Sequence, residues 1–117
     1  MQGAAVAGND ALSPERIDEA LAELPDWRAG NGGLVTVFKM PTAAAALELI
    51  AAVGRLAEEQ NHHPDLDWRY NRVFIRYTSH DAGGQVTGRD LAAAAGASEA
   101  AAAAGAKAEP AKYVQGQ

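Results

Sequence analysis

Apolar residues recur along this chain at two different spacings, and each change of spacing marks a new element. Ile17, Ala20, Leu21 and Leu24 repeat at helical spacing behind Ser13-Pro14-Glu15. Ser13 suits an N-cap, Pro14 the first helical position and Glu15 the first turn. Pro25 closes that helix. In Leu34–Phe38 the period becomes two: Val35 and Val37 alternate with Leu34, Thr36 and Phe38, as in a half-buried strand. The preceding Gly30-Asn31-Gly32-Gly33 predicts the turn of a hairpin. Helical spacing returns from about Ala43 to His62, capped by Thr42. Leu47, Ile50, Gly54 and Ala57 lie along one side of it, with Leu49, Val53 and Leu56 beside them. Pro64 disfavours helical backbone at His63 and so ends the helix. Two more strand-like runs, LDWRY and RVFIRYTS, meet at Tyr70-Asn71-Arg72. After Gly83-Gly84, Thr87-Gly88-Arg89-Asp90 has the form of a capping box, with Asp90 where Glu is usual, opening a last helix.

The order is α-β-β-α-β-β-α. It predicts an α+β domain: a four-stranded antiparallel sheet with three helices on one face. With 117 residues there is room for one such domain and one modest core. Residues 1–11 are expected to be a flexible N-terminal segment, 12–105 the domain, and 106–117 a tail. The last helix is nearly all alanine and is expected to bury little.

Composition narrows the function classes. The net charge is −5, which argues against nucleic-acid and anionic-membrane surfaces. No cysteine is present, so disulfide and thiolate chemistry are excluded and a cytoplasmic location fits. The N-terminus lacks the basic and apolar regions of a signal peptide, and no apolar run is long enough to span a membrane.

All three histidines fall between positions 62 and 80: His62, His63 and His80. Glu58 stands one helical turn before His62, on the same face. In the plainest reading these histidines are polar ends of structural elements, which their clustering in an otherwise histidine-free chain weakens. Metal binding is disfavoured, because adjacent helical residues point about 100° apart and no other ligand spacing supports it. Metal-free acid–base catalysis, in which imidazoles flank a substrate and move protons, remains open. So does a protein-interaction module.

Glu58, then His62-His63-Pro64, Trp68, His80 and Asp90, with the run Thr78-Ser79-His80-Asp81-Ala82-Gly83-Gly84 and the upstream Leu24-Pro25-Asp26-Trp27, resemble the pterin-4a-carbinolamine dehydratase family over about residues 12–95. The resemblance implies a hydro-lyase, a 4a-hydroxytetrahydrobiopterin dehydratase. It would remove water from a 4a-hydroxytetrahydropterin to give the quinonoid dihydropterin in tetrahydrobiopterin recycling, with no metal and no cofactor. Carried over by position, His62 and His80 are the acid–base pair and His63 contacts and orients the pterin. Glu58 orients a histidine or binds the ring, and Trp27 lines the pocket. For Asp90 the capping box is the favoured role. Trp68 and Tyr70 are read as core or interface.

Two departures touch stability and the oligomer interface rather than the histidines: TAAAA early in the second helix, where relatives carry larger residues, and Gly88 in place of Glu. The rival class is a non-catalytic oligomeric binding or assembly partner of the same fold, which would have no chemical need for three histidines. An open sheet edge and the resemblance together imply a homodimer or homotetramer. Neither nucleic acid nor membrane is an expected partner.

Overall fold

Side-chain oxygens start each of the three long helices in a computed structural model that describes residues 10–114. In α1 (Pro14–Leu21) the Ser13 hydroxyl accepts the Arg16 N–H. Thr42 does the same for Ala45 at the head of α2 (Ala43–Gln60). Thr87 and Asp90 form the full capping box of α3 (Gly88–Ala103). The expected N-terminal segment lies almost wholly outside the described residues.

The first hairpin joins β1 (Arg28–Gly30) to β2 (Gly33–Lys39). Its two turn residues, Asn31 and Gly32, both have positive φ, 53° and 77°. That pair matches the right-handed twist of the flanking strands, and only residues such as Asn and Gly adopt it cheaply. The second hairpin joins β3 (Asp65–Arg69) to β4 (Arg72–Tyr77). All pairings are antiparallel and the order is β1-β2-β4-β3, which leaves β3 at an edge.

The three helices pack on one face of the sheet, as the sequence predicts. Leu34, Phe38, Val73, Ile75 and Tyr77 meet Leu49 and Val53 of α2, and Ile17 and Leu21 of α1 pack at the margin. The alanine-rich α3 departs from expectation. Ala93, Ala94, Ala97 and Ala101 are fully buried. Small side chains let α3 approach α2 and the sheet closely, so they bury area through proximity rather than size.

A second difference lies at the C-terminus. The described part of the expected tail folds back as a strap. Lys107–Ala108 forms β5, antiparallel to Phe38 and Lys39 of β2, and Pro110–Lys112 makes a short 3-10 turn. The sheet therefore has five strands rather than four. Tyr113 then lies on the outer sheet face in a small cluster with Val35, Val37 and Phe74. The Arg28 guanidinium donates to the carbonyls of Pro110 and Tyr113, and Arg72 pairs with Glu109. This explains why β2 is buried on both faces up to Phe38 instead of half-buried.

Trp68 and Tyr70 are exposed, together with Leu66, so none of them is core. No helix among the described residues is long and apolar enough to cross a membrane.

Candidate active site

The site begins with how α2 ends. Asn61 adopts the left-handed conformation, φ 51° and ψ 44°. The His62 N–H bonds the Ala57 carbonyl and the Asn61 N–H bonds that of Glu58. This is a Schellman termination, and it stops the helix at Gln60, short of the expected His62. The reversal sends the two adjacent imidazoles apart: His62 is 7% exposed and His63 is 56% exposed.

His62 points inward to Asp90. Its Nε2 lies 2.6 Å from Oδ1 of a carboxylate that is 0% exposed. A carboxylate only accepts, so the ring donates an Nε2–H and Nδ1 is left as the atom that gains or loses a proton. The other Asp90 oxygen accepts the Ser79 hydroxyl and the Thr87 backbone N–H, both at 2.8 Å. Ser79 also bonds the Thr87 hydroxyl at 2.7 Å. Asp90 thus serves the helix cap with one oxygen and His62 with the other.

Behind His62 lies Tyr77, stacked on the imidazole with centroids 6.0 Å apart and planes 12° apart. Burial, with the charge of Asp90 added, pushes the Tyr77 phenol up to about 12. It remains neutral at any physiological pH, a dry wall behind the histidine. Trp27 stands one layer further back, packed on Tyr77 and Phe38, with its indole N–H donated to Ser98. It lines no part of the cleft.

His63 lies at the rim, where its Nε2 meets the Glu58 carboxylate at 2.6 Å. Both groups are solvated, so the pair orients the ring more than it stabilises the fold. His80 opens the 3-10 turn His80–Ala82, and its imidazole makes no hydrogen bond among the described residues. Arg89 ties this loop to the end of α2, donating to Asp81 at 3.0 Å and to the Asn61 carbonyl at 2.9 Å.

These elements enclose a cleft of about 390 Å³. Its walls carry all three histidines, with Asn61, Pro64, Asp65, Thr78, Asp81 and Arg89. The arrangement suits proton transfer: one buried imidazole hydrogen-bonded to Asp90, one unbonded imidazole on the same cleft, and a carboxylate-oriented imidazole at the rim. The described residues contain no group of three His, Asp or Glu side chains placed to hold a metal ion.

Sequence reasoning missed the second role of Asp90. The capping box accounted for the residue, and nothing in the local pattern shows that its free oxygen faces His62, 28 residues away. Arg89 and Asp81 were also missed, although each adjoins a residue that was singled out.

Comparison with known proteins bears on the same residues. The family described as pterin 4 alpha carbinolamine dehydratase matches residues 10–100. A protein of Chloroflexus aurantiacus named "Putative pterin-4-alpha-carbinolamine dehydratase" is 46% identical over 88 residues, covering 75% of this chain and 94% of its own length. A Metallosphaera sedula protein of the same name is 44% identical over 80 residues, covering 68% and 82%. Among solved structures, a "transcriptional coactivator/pterin dehydratase" from Brucella melitensis superposes with a TM-score of 0.73 at 28% identity, over 78% of this chain and 98% of that one. The match spans the cleft residues from Asn61 to Arg89 and takes in α1, α2, most of α3 and both hairpins: this chain belongs to the pterin 4 alpha carbinolamine dehydratase family.

Proposed function

We propose that the protein is a hydro-lyase that dehydrates 4a-hydroxytetrahydropterins to quinonoid dihydropterins by histidine acid–base catalysis, in recycling of the tetrahydropterin. The observation that carries this reading is the convergence of His62, His63 and His80 on one cleft, with His62 held by buried Asp90. In the reaction an acid protonates the departing hydroxyl as the ring carbon–oxygen bond breaks. A base takes a proton from the ring nitrogen, whose electron pair forms the new double bond. Water leaves, and the enzyme ends with as many protons as it began. His62 and His80 are the two proton-transfer groups, and His63 with Glu58 orients the ring at the rim.

The test follows freshly generated 4a-hydroxytetrahydropterin by ultraviolet absorbance. The wild-type protein is expected to accelerate dehydration. His80→Ala, whose imidazole makes no structural hydrogen bond, is expected to lose at least about 100-fold of that acceleration at unchanged thermal stability. A well-folded wild type with no acceleration would sink the proposal.

A cytoplasmic homodimer or homotetramer completes the reading. β3 is an open edge strand that carries exposed Leu66 and Trp68, with Tyr70 just beyond it. Unpaired edges of this kind are commonly closed by a second copy. Sedimentation at micromolar protein is expected to show species of at least twice the 12.1 kDa chain mass. A single monomeric species would refute the assembly and leave the catalytic reading untouched.

A further inference from the structure

The basic residues are not spread evenly over this acidic protein. The chain carries ten Lys and Arg and a net charge of −5. Only Arg16, Arg55 and Arg89 lie elsewhere; the other seven sit on the outer face of the sheet or on the strap that crosses it. The acids on that face are Asp65, Asp67 and Glu109, so it has a positive excess within a negative molecule.

Four of these cations form one line across the strands. Lys107 pairs with Lys39, Lys39 with Arg72, and Arg72 with Arg69. Like charges directly opposite on neighbouring strands are destabilising, and here three such neighbours follow in succession. At about 4.8 Å between strands the line is about 14 Å long. Its neutralisation is incomplete. Arg69 pairs with Asp67 and lies over the Phe74 ring. Arg72 pairs with Glu109. The side chains of Lys39, Lys107 and Lys112 make no hydrogen bond or ion pair among the described residues. Burial raises the Glu109 carboxyl, but the hydrogen bond and charge of Arg72 and the charges of Lys112 and Lys39 outweigh it and hold the group below its usual range. One carboxylate thus answers three cations, and Lys107 stands next in the line.

None of the four residues in the line borders the histidine cleft. Lys107, Glu109 and Lys112 also lie beyond residue 100, where the family match ends. The strap's share of the feature therefore lies beyond the matched range, while Lys39, Arg69 and Arg72 lie within it. An arrangement that costs stability in the isolated chain makes sense if a ligand neutralises it.

We infer that the line Lys107, Lys39, Arg72 and Arg69, with Lys112, is a binding site for an oligophosphate group, and that Glu109 is the chain's own occupant of its centre. Spacing selects this ligand over an acidic peptide. Carboxylates on one face of an extended peptide recur every two residues, about 6.7 Å apart, and skip cations set about 4.8 Å apart. Linked phosphoryl groups repeat more closely and carry a charge on each, so every cation in the line meets an oxygen. The charge-assisted bonds that result are the strong ones.

Titration calorimetry on the full chain at low ionic strength, with inorganic tripolyphosphate as the probe, tests the site. One tripolyphosphate per chain is expected. K39Q/K107Q should weaken binding at least tenfold, K39R/K107R should restore it, and E109Q should tighten it by at least threefold. R16Q/R55Q removes the same charge elsewhere and should change affinity less than twofold. ATP should compete if the phosphate tail is the part recognised. The inference is overturned if millimolar tripolyphosphate fails to bind or if K39Q/K107Q binds within twofold of wild type. It is equally overturned if R16Q/R55Q weakens binding as much, or if a single-stranded oligonucleotide displaces the probe at lower concentration than ATP. Dehydration by K39Q/K107Q should equal wild type, which separates this site from the cleft.

Discussion

His62→Ala is expected to slow enzymatic dehydration by about 100- to 10,000-fold, the range that a positioned general acid or base contributes. Asp90→Asn is expected to come close to it. Three donors converge on the Asp90 carboxylate: Thr87 N–H, Ser79 O–H and His62 Nε2–H. An asparagine offers only one oxygen. The Thr87 N–H is fixed by the backbone at the head of α3 and cannot become an acceptor, so the amide oxygen must stay there. The amide nitrogen then faces His62, whose Nε2 must turn acceptor and whose proton moves to Nδ1. The helix cap survives while the atom meant to receive a proton is already occupied. Nitrogen-15 spectra of the imidazole should show the tautomer switch, and steady-state absorbance kinetics the loss of kcat. Asp90→Asn activity within threefold of wild type, with the tautomer switched, would remove His62 from proton transfer.

What the sequence shows of this fold follows from how local each determinant is. Ser13, Thr42 and Thr87 mark helix starts because a cap acts within three residues. Asn31-Gly32 marks a turn because positive φ belongs to single residues. The strap is different. β5 has two residues, too few to show alternation, and what holds it is remote: Glu109 with Arg72 across 37 positions and Arg28 with the Tyr113 carbonyl across 85. The same gap hid the double burial of β2, since a strand's pattern cannot announce a cover supplied by another segment. In the cleft the three histidines stand out by type and clustering. The inward turn of His62 depends on one left-handed residue, Asn61, and the second oxygen of Asp90 depends on the docking of α3 against β4. Helix composition was misread for a related reason: alanine looks weak as a core residue until its small size is seen to set the α2–α3 distance.

The largest stability loss is expected at that same buried junction. Asp90→Ala should cost about 3–5 kcal/mol, because several buried donors lose their acceptor at about 1–3 kcal/mol each. It strips the acceptor from His62, Ser79 and Thr87 together, and the Ser79 and Thr87 donors are fully buried. It also removes half of the capping box. The contrast is Glu58→Ala. Glu58 stands at the same 2.6 Å from its histidine as Asp90 does, but its side chain is 79% exposed and His63 is 56% exposed. Water replaces the lost contact there, and the expected change is within about 0.5 kcal/mol. Urea unfolding at neutral pH, with the slope checked for equality among variants, measures both. A large difference between two contacts of one length would show that burial sets their worth. If Asp90→Ala cost less than about 1 kcal/mol, the carboxylate would not be the closed, three-donor acceptor described, and the fixed tautomer of His62 would lose its basis.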